Sequence, residues 1–214
     1  MEIAVIDYKM SNMFSIKNAL DSLGFRSQIT SDPNRILAAD GAVLPGVGSF
    51  PEAMGYLNEL HMISVIKEFI ANGKPFMGIC LGLQLLFSKS EEFDKCEGLG
   101  IIDGTVEGFS KYITSKPIPH VGWNTIINQN SVKQKKSGHS SKIRFCENEY
   151  YYFVHSYFVK PDNKECVYTW SRYGGYEFCS SIAINNIFAC QFHPEKSGSR
   201  GLNILKNFFN WDIN

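Results

Sequence analysis

The stretch that decides the fold reads Lys74-Pro75-Phe76-Met77-Gly78-Ile79-Cys80-Leu81-Gly82-Leu83-Gln84. A short apolar run ends at Cys80, a glycine stands two residues to either side of it, and a helical pattern follows. This is the layout of a nucleophile elbow with Cys in the place of Ser. The glycines permit a sharp turn and a close approach by a substrate, and the N–H groups of the following helix favour a thiolate. The alternative is a small buried cysteine at a strand end.

Residues 1–90 alternate between strand and helix patterns. Apolar runs predict strands at 2–7, 26–30, 42–44 and 75–79. Helical stripes and caps predict helices at 11–23, from Pro33, at 51–59, at 62–72 and from Cys80 to about Phe87. This alternation predicts a parallel sheet with helices on both faces. Ligands bind such sheets at the carboxyl ends of the strands, where both Cys80 and the turn Gly46-Val47-Gly48 fall.

The second half of the chain has a different character, with glycines and short apolar runs. Strands are predicted at 151–155, 165–171, 177–183 and 187–192, and a final helix from Arg200 to Phe209. We expect these strands to be antiparallel and to extend the sheet in the C-terminal half. The polar segment 128–141 is the least ordered by composition. Because 214 residues suit one globular domain and no internal repeat occurs, we expect one domain over residues 1–214.

Composition excludes several classes of function. The 214 residues carry 21 basic and 21 acidic side chains, so no basic excess favours a nucleic-acid partner. No apolar run approaches the roughly 18 residues of a membrane span, and the N-terminus resembles a first strand instead of a signal peptide. The six cysteines include no C-x-x-C pair, so we expect no metal site. Because no secretion signal is recognised, we expect reduced thiols in the cytoplasm. The 46–48 turn lacks both a G-x-G-x-x-G fingerprint and the P-loop lysine, and no cofactor is expected.

A thiol nucleophile needs a base, and His193 has the best context among the five histidines. It follows a predicted strand, Pro194 keeps it extended, and Glu195 is two residues further on. Residues i and i+2 of an extended backbone point the same way, so Glu195 is expected to orient the imidazole as the third member of a triad. The alternative is a surface His beside a surface Glu. The remaining histidines are His120 and His155, which stay possible bases, and His61 and His139, which are poor candidates.

These motifs resemble those of the class I (triad) glutamine amidotransferases. The resemblance rests on residues 78–84, on Pro45-Gly46-Val47-Gly48 and on Gln191-Phe192-His193-Pro194-Glu195. Further stretches are similar to the glutaminase subunit of imidazole glycerol phosphate synthase, the HisH family: Ile6-Asp7-Tyr8 with Asn12, 119–124, 152–157, and Gly198 with 201–208. The similarity runs from residue 2 to about 209. It implies the family's fold, a flavodoxin-like three-layer α/β sandwich with a mixed central sheet.

The resemblance also implies an activity, the hydrolysis of L-glutamine to glutamate and ammonia, and roles for single residues. Cys80 would attack the carboxamide, His193 would carry the proton, and Glu195 would orient His193. The implied oxyanion donors are Val47, Gly48 and Leu81. The implied substrate-binding residues are Gly46, Gln84, His155, Ser156 and Tyr157. The implied partner-interface residues are Asn12, Trp123 and Lys196.

In this family the ammonia passes to a (β/α)8-barrel cyclase subunit of the HisF type, with which the glutaminase forms a heterodimer. The resemblance therefore implies histidine biosynthesis, with lyase chemistry in the complex that makes imidazole glycerol phosphate and aminoimidazole carboxamide ribotide. Lys9 and Ser11 stand where the family commonly has glycines. This departure leaves open a HisH-like paralogue that feeds a sugar amidotransferase synthetase in surface-polysaccharide or flagellin-glycan synthesis. A silent regulatory subunit and a cysteine peptidase are more distant alternatives.

Overall fold

The computed structural model describes residues 1–10, 12–128, 143, 145 and 149–210. Ser11, His139 and almost all of the polar segment predicted at 128–141 lie outside these residues. No helix among the described residues is long and apolar enough to cross a membrane.

The first half of the chain alternates strands and helices as the sequence predicts. Its elements are β1 (Glu2–Ile6), α1 (Met13–Ser22), β2 (Arg26–Thr30), α2 (Pro33–Ala38), β3 (Gly41–Leu44), α3 (Phe50–Glu59), α4 (Met62–Ala71), β4 (Phe76–Ile79) and α5 (Leu81–Leu85). Asp32 caps α2 because its side chain accepts a hydrogen bond from the Asn34 N–H, and Pro33 occupies the first turn.

The second half is mostly strands. They are β5 (Phe87–Ser90), β6 (Cys96–Glu97), β7 (Ile102–Gly108), β8 (His120–Thr125), β9 (Ile127–Asn128), β10 (Tyr150–His155), β11 (Tyr157–Pro161), β12 (Val167–Tyr173), β13 (Tyr176–Ile184) and β14 (Ile187–Cys190). The helix α6 (Gly198–Phe209) follows. Short 3-10 turns occur at Phe109–Lys111, Lys164–Cys166 and Pro194–Lys196.

One mixed sheet organises the molecule, in the order β2-β1-β3-β4-β14-β13-β11-β7-β5-β6. The strands from β2 to β14 are parallel neighbours, and β13, β11 and β7 continue the sheet in antiparallel pairs. Alternate strand residues supply two hydrophobic cores. Ala4 and Leu44 join the core that includes α3 and α4, whereas Ile3 and Val43 join the core that includes α1 and α6. The predicted three-layer α/β fold with an antiparallel extension is confirmed.

Three expectations about the strands and helices are wrong in detail. β14 is not part of an antiparallel meander alone, because it pairs in parallel with β4 on its other side. β10 leaves the main sheet and pairs with β8 in a separate two-stranded ribbon. The helix after Cys80 ends at Leu85, because the chain at once forms β5, which pairs with β7. Local hydrophobic pattern does not encode these long-range pairings.

Candidate active site

Cys80 occupies a strained turn at the carboxyl end of β4. Its backbone has φ 56° and ψ −109°, a conformation that a residue with a side chain rarely adopts. The turn is held because the Cys80 N–H donates to the Cys190 carbonyl at 2.8 Å, which extends the β4–β14 pairing. A Cβ at Gly82 would overlap the Leu44 carbonyl oxygen, and a Cβ at Gly78 would lie 2.8 Å from the Gly82 oxygen. The elbow therefore needs both glycines.

His193 and Glu195 form a buried pair at the end of the neighbouring strand β14. Glu195 Oε1 accepts from His193 Nδ1 at 2.8 Å, and the two side chains are only 4% and 3% exposed. His193 is extended, as predicted from Pro194, but the extended geometry predicted up to Glu195 is wrong, because Glu195 lies in the 3-10 turn Pro194–Lys196. Since Nδ1–H is directed at Glu195, Nε2 is the nitrogen that can exchange a proton. Nε2 has no hydrogen-bond partner among the described residues.

The electrostatics of His193 connect it to Cys80. Burial lowers the pKa of His193, but a negative charge on the Cys80 sulfur, together with Glu195, outweighs this effect and raises the pKa to about 10. The negative charges around His193 therefore favour its imidazolium form. This is the electrostatic arrangement of a Cys–His nucleophile and base, with Glu195 as the orienting group.

Cys80 opens onto a cleft of about 270 Å³. The cleft is lined by Val47, Gly48, Cys80, Leu81, Gln84, Glu92, Pro119, Val154, His155, Ser156 and Tyr157. Most of the residues predicted for substrate and oxyanion binding are thus brought together at one opening. Gly46 is not among them. It faces a much smaller cavity beside His193 and Glu195, where a Cβ would collide with the Tyr8 hydroxyl.

The predicted oxyanion turn has one N–H directed elsewhere. The Val47 N–H donates to the Met10 carbonyl at 2.9 Å. Gly48 has φ 97°, and a Cβ there would lie 2.7 Å from the Met10 methyl group. The loop that carries Lys9 is itself bound to α3, since the Lys9 ammonium lies 3.0 Å from Glu59. In this conformation Val47 does not supply an oxyanion donor.

Two residues of the site were missed by sequence reasoning. Glu92 lines the cleft and accepts from the Phe50 N–H at 2.7 Å, and burial raises the pKa of its carboxyl group despite this bond. Gln191 donates from Nε2 to the Cys80 sulfur at 3.5 Å. Glu92 has no local signature in the sequence, whereas Gln191 lies inside the Gln-Phe-His-Pro-Glu motif that indicated His193.

Comparisons with known proteins agree with this geometry. The family model for glutamine amidotransferase class-I matches residues 4–211. The imidazole glycerol phosphate synthase subunit HisH of Caldanaerobacter subterraneus subsp. tengcongensis is 46% identical over 96% of each chain. The same subunit of Aquifex aeolicus is 46% identical over 97% of this chain and 96% of its own. The chain is a class-I glutamine amidotransferase of the HisH family.

A solved structure supports the fold independently of close sequence similarity. The structure of PurLQS from Thermotoga maritima superimposes with a TM-score of 0.73 at 20% identity, over 98% of this chain and 97% of that chain. Membership of the HisH family favours the histidine branch over the glycan paralogue that Lys9 and Ser11 left open. It also disfavours a cysteine peptidase.

The other two candidate bases of this HisH-family chain, His120 and His155, bond to each other instead of to Cys80. His120 Nδ1 and His155 Nε2 are 3.0 Å apart. Burial lowers the pKa of His120 to about 4 and that of His155 to about 3. Both imidazoles are neutral at pH 7, and neither contacts the thiol through a hydrogen bond.

The residues predicted for a partner interface lie near one another. Trp123 is 55% exposed on β8, and its ring lies edge-on to Tyr152 at 6.1 Å. The Lys196 ammonium lies 6.0 Å from the centre of the same Tyr152 ring. Asn12 and Lys196 both line the small cavity behind His193 and Glu195. No cluster of three or more His, Cys, Asp or Glu able to hold a metal occurs in the described part of the chain.

Proposed function

We propose that the chain, as one domain over residues 1–214, hydrolyses L-glutamine to glutamate and ammonia through the triad Cys80, His193 and Glu195. The observation that carries this proposal is the buried His193–Glu195 pair. The pKa of His193 is raised by Cys80, which lies at the mouth of the cleft, and by Glu195. A strained elbow presents the sulfur to that cleft. This combination supplies a nucleophile, a proton carrier and an orienting carboxylate at one point.

The chemistry follows from these positions. The Cys80 thiolate attacks the carboxamide carbon of glutamine, and a tetrahedral oxyanion forms. His193 Nε2–H protonates the leaving nitrogen, the C–N bond breaks, and ammonia departs from a glutamyl thioester. His193 Nε2 then takes a proton from water, which attacks the thioester and releases glutamate and the thiolate. Glu195 accepts from His193 Nδ1–H and so keeps Nε2 directed away from itself throughout.

Glutamine recognition is assigned to Glu92, Gln84 and the backbone of residues 155–157. A buried carboxylate whose pKa is raised by burial gains most from a cation, and the α-ammonium of glutamine supplies one. Both hydrogens of the Gln84 amide are already used, by the Tyr157 carbonyl and by Gln191, each at 3.0 Å. Gln84 therefore offers its Oε1 to a substrate N–H. Gly46 packs against the side chains of Tyr8 and Leu81 behind the turn.

The oxyanion is assigned to the N–H of Leu81 and to an N–H of the Val47–Gly48 turn. Leu81 is the first residue of α5 and follows the nucleophile directly. The Val47 N–H must first leave the Met10 carbonyl, and Gly48 allows the peptide to reorient because it carries no Cβ. The isolated chain is therefore expected to be a poor glutaminase until a partner changes this turn.

The ammonia is assigned to a (β/α)8-barrel cyclase subunit of the HisF type, in a cytoplasmic heterodimer. That partner would use it to make imidazole glycerol phosphate and aminoimidazole carboxamide ribotide, so the lyase step belongs to the complex. Family membership supports this assignment. Asn12, Trp123 and Lys196 are proposed for the interface because they lie together near the triad.

The proposal is tested with the chain mixed with a barrel cyclase of the HisF type and that cyclase's ligand. We expect a diazoketone analogue of glutamine to label Cys80, and Cys80→Ala to lose glutaminase activity completely. Cys96→Ala is the matched control and should keep it, because Cys96 lies outside the cleft. Glutamine hydrolysis by Cys80→Ala in the complex would refute the triad. Co-purification with an adenylating synthetase instead of a barrel cyclase would refute the histidine assignment.

A further inference from the structure

We propose that Gln191 stabilises the Cys80 thiolate by donating an amide hydrogen bond to the sulfur, and that the His120–His155 pair are positioning residues that hold the Tyr157 carbonyl, from which the direction of this bond is set. The inference rests on the proposed use of Cys80 as the nucleophile. It concerns a continuous chain of buried hydrogen bonds that runs from β8 to the elbow.

The direction of the chain is set at the Tyr157 carbonyl, which can only accept. His155 Nδ1 lies 2.8 Å from this oxygen, so that nitrogen carries the proton. Because His155 is neutral, its Nε2 is bare and accepts from His120 Nδ1 at 3.0 Å. His120 is neutral too, so its Nε2 accepts from the Asn124 amide at 3.3 Å. Each tautomer is thus determined by its neighbour.

The same carbonyl fixes the amide on its other side. Gln84 Nε2 donates to the Tyr157 oxygen and to Gln191 Oε1, each at 3.0 Å. A flipped Gln84 would place its Oε1 against the Tyr157 carbonyl oxygen, which cannot donate, so only one orientation of the Gln84 amide satisfies this contact. Gln191 Oε1 is consequently the acceptor, and its Nε2 must face the Cys80 sulfur, 3.5 Å away. The polar chain therefore ends in an N–H donor at the nucleophile.

Burial and ring packing keep the chain in this one arrangement. Gln191 is completely buried, and His120 and His155 are nearly so. The His120 ring is stacked on Tyr173 at 4.1 Å and on Phe153 at 5.0 Å, which holds the plane of its two nitrogens. A donor that is preorganised and desolvated stabilises an anionic sulfur more than it stabilises a neutral thiol. Gln191 thus adds to the effect of His193 on the reactive form of Cys80.

The test measures alkylation of the full chain by iodoacetamide, with Cys80 and Cys96 followed separately by peptide mass spectrometry. Gln191→Met removes the donor but keeps an unbranched side chain of similar length. We expect it to slow Cys80 alkylation at neutral pH about tenfold, with Cys96 unchanged. Ser181→Ala is the matched control, since Ser181 is equally buried and loses a hydrogen bond to Thr169. An unchanged Cys80 rate in Gln191→Met overturns the proposal.

A second variant keeps the test decisive if Gln191→Met does not fold. Gln191→Glu preserves the shape, removes the N–H and should slow Cys80 alkylation at least as much.

The positioning role of the histidine pair is tested by two variants of His120. His120→Phe should slow Cys80 alkylation about threefold. His120→Asn should restore the rate, because its amide nitrogen occupies the position of Nδ1 and can donate to His155. Equal rates in both His120 variants overturn the positioning role.

Alkylation requires no glutamine, so this test separates the two proposals. If the natural chain has no glutaminase activity in the cyclase complex but Gln191→Met still slows Cys80 alkylation, the thiolate donor is supported and the proposed function is rejected. Full glutaminase activity with an unchanged alkylation rate in the same variant would reject only the role of Gln191.

Discussion

Two carboxylates of the site, Glu195 and Glu92, have opposite electrostatic surroundings. Glu195 bonds to an imidazole whose pKa is raised, so it is matched by a positive charge before any substrate arrives. Glu92 accepts from one backbone N–H, and none of the cations in the described residues pairs with it. The first carboxylate therefore completes the triad, whereas the second is suited to bind a charged group of the ligand.

This difference predicts how Glu92→Gln behaves. The amide still accepts from the Phe50 N–H but cannot neutralise an ammonium. We expect the KM for glutamine in the cyclase complex to rise about tenfold or more, with a much smaller change in kcat, because the α-ammonium is remote from the reacting carboxamide. Glu91→Gln is the control, since Glu91 pairs with Lys111 outside the cleft. Equal KM values for both variants would contradict the assignment.

At this scale the sequence predicted the residues that carry a local signature. Cys80 stands between two glycines, and His193 and Glu195 belong to the motif around Pro194. Glu92 and Gln191 could not be predicted in the same way. The position of Glu92 depends on how β5 leads the chain back against α3, and the contact of Gln191 with Cys80 joins residues 111 positions apart. Neither fact is encoded by local spacing.

At the scale of elements, the elbow depends on how closely α5 approaches β3. The helix begins immediately after Cys80, and its Gly82 backbone packs directly on the Leu44 carbonyl. This contact places the start of α5, and with it the Leu81 N–H, beside the nucleophile. The short helix is thus fixed by contact with the sheet more than by its own length, since five residues form no stable helix alone.

Gly82→Ala should therefore be severely destabilising. The added methyl group overlaps backbone atoms that cannot move without separating β3 from α5. We expect the free energy of unfolding in urea to fall by about 3 kcal/mol. Gly55→Ala is the matched control within α3, where an added Cβ meets nothing within 4 Å. It should gain up to about 1 kcal/mol from helix propensity. Similar effects of the two substitutions would contradict the close approach.

The sequence predicted the type and order of elements better than their pairing. The alternation of strands and helices before Ser90 predicts the parallel half of the sheet, because consecutive strands and helices form adjacent layers. The insertion of β14 beside β4, which places His193 next to Cys80, joins strands more than 100 residues apart. The separate ribbon of β8 and β10 likewise depends on pairing that no periodicity shows.

For the whole molecule, the buried His120–His155 pair lowers the free energy of unfolding in acid. The histidine pair His120 and His155 is buried, neutral and surrounded by aromatic rings such as Phe109 and Phe178. Burial holds the pKa of each imidazole below its ordinary value of 6.5, at about 4 and about 3. Between pH 6.5 and these lowered pKa values, the unfolded chain therefore binds more protons than the folded chain. The folded state consequently loses stability as the pH falls from 6.5.

The expected loss can be isolated with one substitution. Between pH 7 and pH 5, each of these histidines should remove about 2 kcal/mol from the free energy of unfolding. His120→Phe retains an aromatic ring without a titrating group, so its stability in urea should fall less steeply with pH than that of the natural chain, by about 2 kcal/mol over this range. His61→Asn provides the control, because His61 is an exposed residue with φ 54°, a conformation that Asn tolerates, and it should leave the slope unchanged. If His120→Phe and the natural chain lose stability in parallel, the pair is not held neutral by burial. The donor and acceptor of the His120–His155 bond would then no longer be assigned, because that assignment requires each imidazole to carry a single proton.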